Sequence, residues 1–318
     1  MKRIISHVIM LLSVSCAFAQ EQFKSDYTVT DISLKTKTGE ISGTLTIAGK
    51  VKKSPLVVII AGSGPTDRNG NSSMGIETNC YKLLSEALAS KGISSLRYDK
   101  RGIGQSAMAM MSEADLRFET YSNDAADWVT MMKKDKRFSR IIIVGHSEGS
   151  LLGMIAAQQS EASAYISIAG AGKPIDILLQ EQLRNQLPFN LILESNAILD
   201  SLKMGKTVTN VNPLLLSLYR PSVQPYMISW IKYDPAKEIH KLHIPVLIIQ
   251  GSTDIQVSID DAKLLSEGKP DAKLSIIKNM NHILKECDSF DEKNKAQYKM
   301  PDLPLDKELI EVITDFIK

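Results

Sequence analysis

Residues 141–158 read IIIVGHSEGSLLGMIAAQ, and few stretches of chain leave so little conformational choice. Ile141 to Val144 is a short, wholly apolar run of the kind that forms a buried strand, and Ser147 to Gln158 carries a helical pattern. Between them lies Gly145-His146-Ser147-Glu148-Gly149. A turn joining strand to helix in so few residues is too tight for side chains at its flanks, which accounts for the two glycines. It lifts the Ser147 hydroxyl above the sheet and aims a helix N-terminus at it.

The rest of the chain supplies the sheet such a turn needs. Residues 31–48 alternate apolar and polar around Thr-Gly-Glu, a pattern that predicts a β-hairpin. Pro55 to Ile60 is continuously apolar and ends in Ala61-Gly62-Ser63-Gly64-Pro65. Helical spacing over Tyr81–Ser90 and from Tyr121 to Met132 alternates with strands expected at Ile93–Arg97, Ala164–Ala169, Val246–Gln250 and Lys273–Ile277, and a last helix spans Asp306–Ile317. Alternation of this kind predicts an α/β fold: a mostly parallel sheet covered by helices on both faces. Residues 173–243 break the rhythm, being Leu- and Met-rich and helical without a convincing strand. They read as a helical cap inserted into a core of residues 55–172 and 244–318, with residues 20–54 as a β-hairpin region leading in.

Of the 318 residues, 43% are hydrophobic and 23% charged, which excludes a disordered chain or a disulfide-stapled miniprotein. The net charge of +2 comes from 38 basic and 36 acidic residues. Lys2 and Arg3 account for it, and no acid occurs in residues 1–19. An apolar run and Ala17-Phe18-Ala19 follow, so residues 1–19 read as a signal peptide cleaved before Gln20, with the protein exported to the periplasm or secreted. Lipidation at Cys16 is the lesser alternative, because Ser13 stands where such sites prefer an aliphatic residue. Without the signal the charges balance, which gives no support to a nucleic-acid partner. No other segment is apolar enough to span a membrane. Cys80 and Cys287 have no CxxC or His cluster beside them, so a metal site is not expected and unpaired thiols are.

A serine hydroxyl becomes a nucleophile only beside a base. Of five histidines, His7 leaves with the signal, His146 points away within the turn, and His240 and His243 precede a strand at the opposite end of the sheet. His282, after the strand Lys273–Ile277, remains as the base. Asp254 follows the strand Val246–Gln250 and takes the orienting role; Asp260 and Asp261 compete but fall in the next helix. Backbone N–H groups of Glu148 and Ser63 are the expected oxyanion donors, with Gly64 as a further substrate contact. Tyr226 and Trp230 either cover the site or form cap core. Residues 67–71 and 99–102 read as an ion-pair network holding two loops, and Met108, Met110 and Met111 as packing.

The segments AGSGPTDRNGN (61–71), RYDKRGIGQS (97–106), GHSEG (145–149), PSVQPYMISWIKYDPAKEI (221–239) and QGSTDIQV (250–257) resemble the α/β-hydrolase superfamily, and within it EstD-type carboxylesterases related to serine-aminopeptidase-like hydrolases. The likeness runs from about Thr30 to the C-terminus. It implies a cofactor-independent Ser–Asp–His esterase acting on small-molecule, short-chain acyl esters. One departure is the short N-terminal region, a hairpin where some members carry a larger domain. A serine peptidase would use the same triad, but needs acids for a free peptide amine, and Glu181, Glu194 and Asp200 form no adjacent pair. A non-catalytic binding protein on this fold would be expected to have lost a triad member.

Overall fold

Strand β1 (Tyr27–Thr36) pairs antiparallel with β2 (Gly39–Ala48), Thr36 opposite Gly39, in the hairpin the alternation predicts. The computed structural model describes residues 27–49, 52–184 and 186–318; the expected signal segment, with His7 and Cys16, lies outside them. Along the chain follow β3 (Ser54–Ile60), α1 (Cys80–Ser90), β4 (Ser94–Tyr98), α2 (Phe118–Lys133), β5 (Phe138–His146), α3 (Glu148–Gln159) and β6 (Ala164–Ile168). Five helices come next: α4 (Ile175–Arg184), α5 (Phe189–Lys203), α6 (Leu216–Tyr219), α7 (Gln224–Ile231) and α8 (Pro235–His240). The chain ends with β7 (Val246–Gly251), α9 (Ile259–Gly268), β8 (Lys273–Ile277), α10 (Glu292–Ala296) and α11 (Lys307–Ile317).

The strands form one sheet in the order β1-β2-β4-β3-β5-β6-β7-β8, parallel from β4 onward. Its central strands are apolar throughout because each face meets helices. Leu56, Val58, Ile60, Ile141 and Ile143 pack with Trp128 of α2 and Leu152 of α3. Val57, Ile59, Ile142 and Val144 turn the other way, toward Leu84 of α1 and Ile313 of α11. A one-residue slip would exchange the two sets, so register is held by both cores at once.

Parallel strands bring the loops after β3, β5, β7 and β8 to one edge. Above that edge, α7 docks on α2: Trp230 stacks on Phe118 with ring centroids 5.2 Å apart and planes 14° from parallel. Such a pair contributes about 0.5–1.5 kcal/mol beyond its buried area. Helix α8 returns to pack on α3 and α9.

Candidate active site

Ser147 sits between β5 and α3 with φ 55° and ψ −122°, a backbone state that non-glycine residues rarely adopt. Its neighbours explain the spacing of the motif. A Cβ on Gly145 would lie 2.1 Å from the Gly149 carbonyl oxygen, and one on Gly149 would lie 2.3 Å from that of Ile60. The Ser147 N–H donates to the Ile168 carbonyl of β6 at 3.0 Å, anchoring the turn to the sheet.

Asp254 and His282, 28 residues apart, are brought together. The His282 Nδ1–H donates to Asp254 Oδ2 at 2.8 Å. The same carboxylate accepts from the Gln256 and Val257 N–H groups at 2.7 and 2.9 Å and from Gln250 Nε2 at 3.1 Å. Burial alone would raise the Asp254 carboxyl; the His282 ring and the two N–H donors outweigh it and hold the group below its ordinary value.

His146 ties this pair to the serine turn. Its Nε2 lies 2.8 Å from the His282 carbonyl oxygen, and the two rings are 4.8 Å apart. A carbonyl only accepts, so Nε2 carries the proton and Nδ1 accepts from the Tyr81 hydroxyl at 2.7 Å. That hydroxyl accepts in turn from the Gly62 N–H at 3.0 Å. Burial, with a smaller contribution from His282, pushes the His146 pKa down to about 3. His146 is therefore a neutral strut joining the loops after β3 and β8, and its ring is not turned to the work of a base. Tyr81 was not foreseen: in the sequence it reads only as the start of a helix.

Ser63, Ser147, Glu148 and Trp230 line one cavity of about 180 Å³, whose other walls include Leu178, Leu218 and Met227. The N–H groups of Ser63 and Glu148 find no acceptor among the described residues; Glu148 opens α3, where such donors are left free by the helix. Tyr226 is not on the wall. Its hydroxyl donates to Glu148 Oε1 at 2.5 Å, which pins that side chain while its N–H stays free. Gly64, at φ 71°, continues the turn and is not on the wall either; a Cβ built on it would meet no atom within 4 Å.

The remaining candidates lie elsewhere. His240 and His243 are exposed before β7, His240 facing the Gly268 carbonyl. Asp260 is exposed and pairs with Lys263. Asp261, the other competitor, is in the first turn of α9 and buried, where it accepts from the Ser258 hydroxyl and from the Gly172 N–H at 3.0 Å. Arg68 binds Asp99 at 2.7 Å and so joins the two charged loops as expected, whereas Arg101 pairs outside them, with Asp124 of α2. Met108 is 89% exposed, which removes it from any packing role; it sits on a short surface turn. Cys80 and Cys287 are buried free thiols, and burial raises the Cys80 pKa to about 11. No group of metal-ligating side chains is found among the described residues, nor any helix long and apolar enough to cross a membrane.

The fold recurs in solved structures. Est1E from Butyrivibrio proteoclasticus superposes with a TM-score of 0.57 at 17% identity, over 90% of this chain and 98% of its own. The α/β hydrolase GrgF from a Penicillium species superposes with a TM-score of 0.56 at 18% identity, over 86% and 99% of the two chains. The chain has the α/β-hydrolase fold. Within that fold, the serine aminopeptidase S33 family, Hydrolase_4, matches residues 72–213. The chain is also similar to esterase EstD of Thermotoga maritima, at 28% identity over 258 residues, which is 77% of this chain. It spans 58% of that relative's length.

Proposed function

We propose that this α/β-hydrolase chain is an exported serine carboxylesterase for short-chain acyl esters. The observation that carries the reading is the Asp254–His282 hydrogen bond of 2.8 Å, set against the strained turn that presents Ser147. In the proposed reaction His282 Nε2 takes the Ser147 proton as Oγ attacks the ester carbonyl. The oxyanion is held by the Ser63 and Glu148 N–H groups. His282 returns the proton to the leaving alkoxide, which departs as the alcohol. A water then gives its proton to His282 and attacks the acyl carbon, releasing the acid and restoring Ser147. Asp254 keeps the imidazole in the needed tautomer and stabilises its positive form.

An ester is favoured over a peptide with a free amine by the cavity wall. Glu148 is its one acid among the described residues, and Tyr226 already occupies one of its oxygens. The wall also carries Lys173, itself paired with Glu181. An incoming ammonium would meet a cation and no free pair of carboxylates.

Acyl length follows from the same wall. Each buried methylene contributes up to about 0.8 kcal/mol until the space is filled. Beyond that, distortion costs roughly 1–3 kcal/mol. Nitrophenyl esters from acetyl to dodecanoyl, assayed beside an aminoacyl anilide, test the proposal. Efficiency should peak at acetyl to butyryl, and Ser147→Ala should lose turnover and labelling by a fluorophosphonate. A dodecanoyl optimum, faster cleavage of the anilide, or an active Ser147→Ala variant would overturn it.

A further inference from the structure

Lys100 lies beyond the end of β4 and is 3% exposed. Its Nζ donates to the Gly62 carbonyl oxygen at 2.6 Å and stands 5.3 Å from the centre of the Tyr121 ring. Among the described residues no carboxylate lies within 4 Å of it; Glu148, on α3, is the charge that faces it. Its neighbours in sequence are committed elsewhere, Asp99 to Arg68 and Arg101 to Asp124. A buried ammonium without a contacting anion is costly, so its placement calls for a compensating role.

Gly62 is held on both sides, its N–H by Tyr81 and its carbonyl by Lys100. The next peptide group joins the Gly62 carbonyl to the Ser63 N–H. In a trans peptide these two point in opposite directions, so a cation on the carbonyl leaves the N–H facing away from it. A cation there also draws electron density through the amide and makes that N–H a stronger donor. The Ser63 N–H has no acceptor among the described residues, and Ser63 lines the cavity with Ser147.

We propose that Lys100 is a positioning residue that orients and polarises the Gly62–Ser63 peptide, so that its ammonium charge acts on the developing oxyanion through the Ser63 N–H. The inference rests on the esterase reading. A neutral substrate carbonyl gains little from such a charge and an oxyanion gains much, so the effect belongs to kcat and not to KM.

The test compares Lys100→Met, Lys100→Gln and Lys100→Arg in the full chain, with circular dichroism confirming the fold. A trifluoromethyl ketone labelled with ¹³C at its carbonyl reports the oxyanion directly, because its Ser147 hemiketal titrates with pH in the carbon spectrum. Lys100→Met should lower kcat about 10- to 100-fold, at or below the loss of a whole oxyanion donor, with KM within about twofold. The hemiketal should titrate at higher pH in this variant, because the oxyanion has lost the nearby charge. Arginine should restore part of both effects and glutamine, a neutral donor, should not. Unchanged kcat, an unmoved hemiketal titration, rescue by glutamine equal to that by arginine, or failure of all three variants to fold would overturn the proposal. A wild-type protein that neither hydrolyses esters nor forms the Ser147 adduct would instead sink the esterase reading itself.

Discussion

His146 illustrates how one residue between two loops couples the site to pH. It is buried and uncharged, its nitrogens used by the Tyr81 hydroxyl and the His282 carbonyl. Its pKa falls from 6.5 to about 3 in the folded chain. Between those values the unfolded chain binds a proton that the folded one refuses, so stability rises with pH across that window and the penalty is gone above about 7. Stability from urea melts at pH 4–7 should therefore fall more steeply toward acid in wild type than in His146→Gln. The difference in slope approaches about 1.4 kcal/mol per pH unit, one proton's worth. Parallel pH profiles in the two proteins would show that His146 is not the group responsible. The elimination that sets His146 aside as a base was possible from sequence, since adjacency to Ser147 inside a tight turn decides its direction. Its two partners were not, because Tyr81 and His282 stand 65 and 136 residues away in the chain.

Elements carry the next level of specificity. The strand, turn and helix around Ser147 obey local rules: a buried apolar run, two glycines with no room for a Cβ, and a free helix N-terminus. That unit was legible in the residues alone. Helix α7 was not, because its period does not say what it covers. Trp230 proves to be both packing and wall, stacked on Phe118 and lining the cavity, whereas Tyr226 serves Glu148. Leu214 and Leu216, in the Leu-rich cap, are 72% and 39% exposed, whereas Leu218 and Met227 line the cavity. Replacing Trp230 by Ala should open the wall and shift the preferred acyl chain upward by several carbons. Loss of the stacked pair should lower stability by about 1–3 kcal/mol. An unchanged acyl optimum in a folded Trp230→Ala protein would mean that the indole does not limit the bound chain.

At the scale of the whole molecule, the proposal of export and the fold rest on separate parts of the chain. Residues 1–19 hold the surplus charge of +2 and the small-residue pattern on which the proposed export rests, and the fold is described from residue 27 onward. Mature protein recovered from the periplasmic or culture fraction should begin at Gln20. An N-terminus at a lipidated Cys16, or an intact chain confined to the cytosol, would contradict the proposed signal. For the core, the sequence by itself determined what short-range physics can encode: which runs are strands buried on both faces, where the chain must turn through glycine, and which His and Asp follow strands at the edge that carries Ser147. Only the tertiary structure decided which groups meet across that edge. The order β1-β2-β4-β3-β5-β6-β7-β8 sets β4 beside β3 and β7 beside β8, and so delivers Lys100 to Gly62 and Asp254 to His282, while α1, packed on the sheet, brings Tyr81 to His146 at the end of β5. Those pairings depend on sheet order and on a register that two apolar cores hold together, and neither is written in any local stretch of residues.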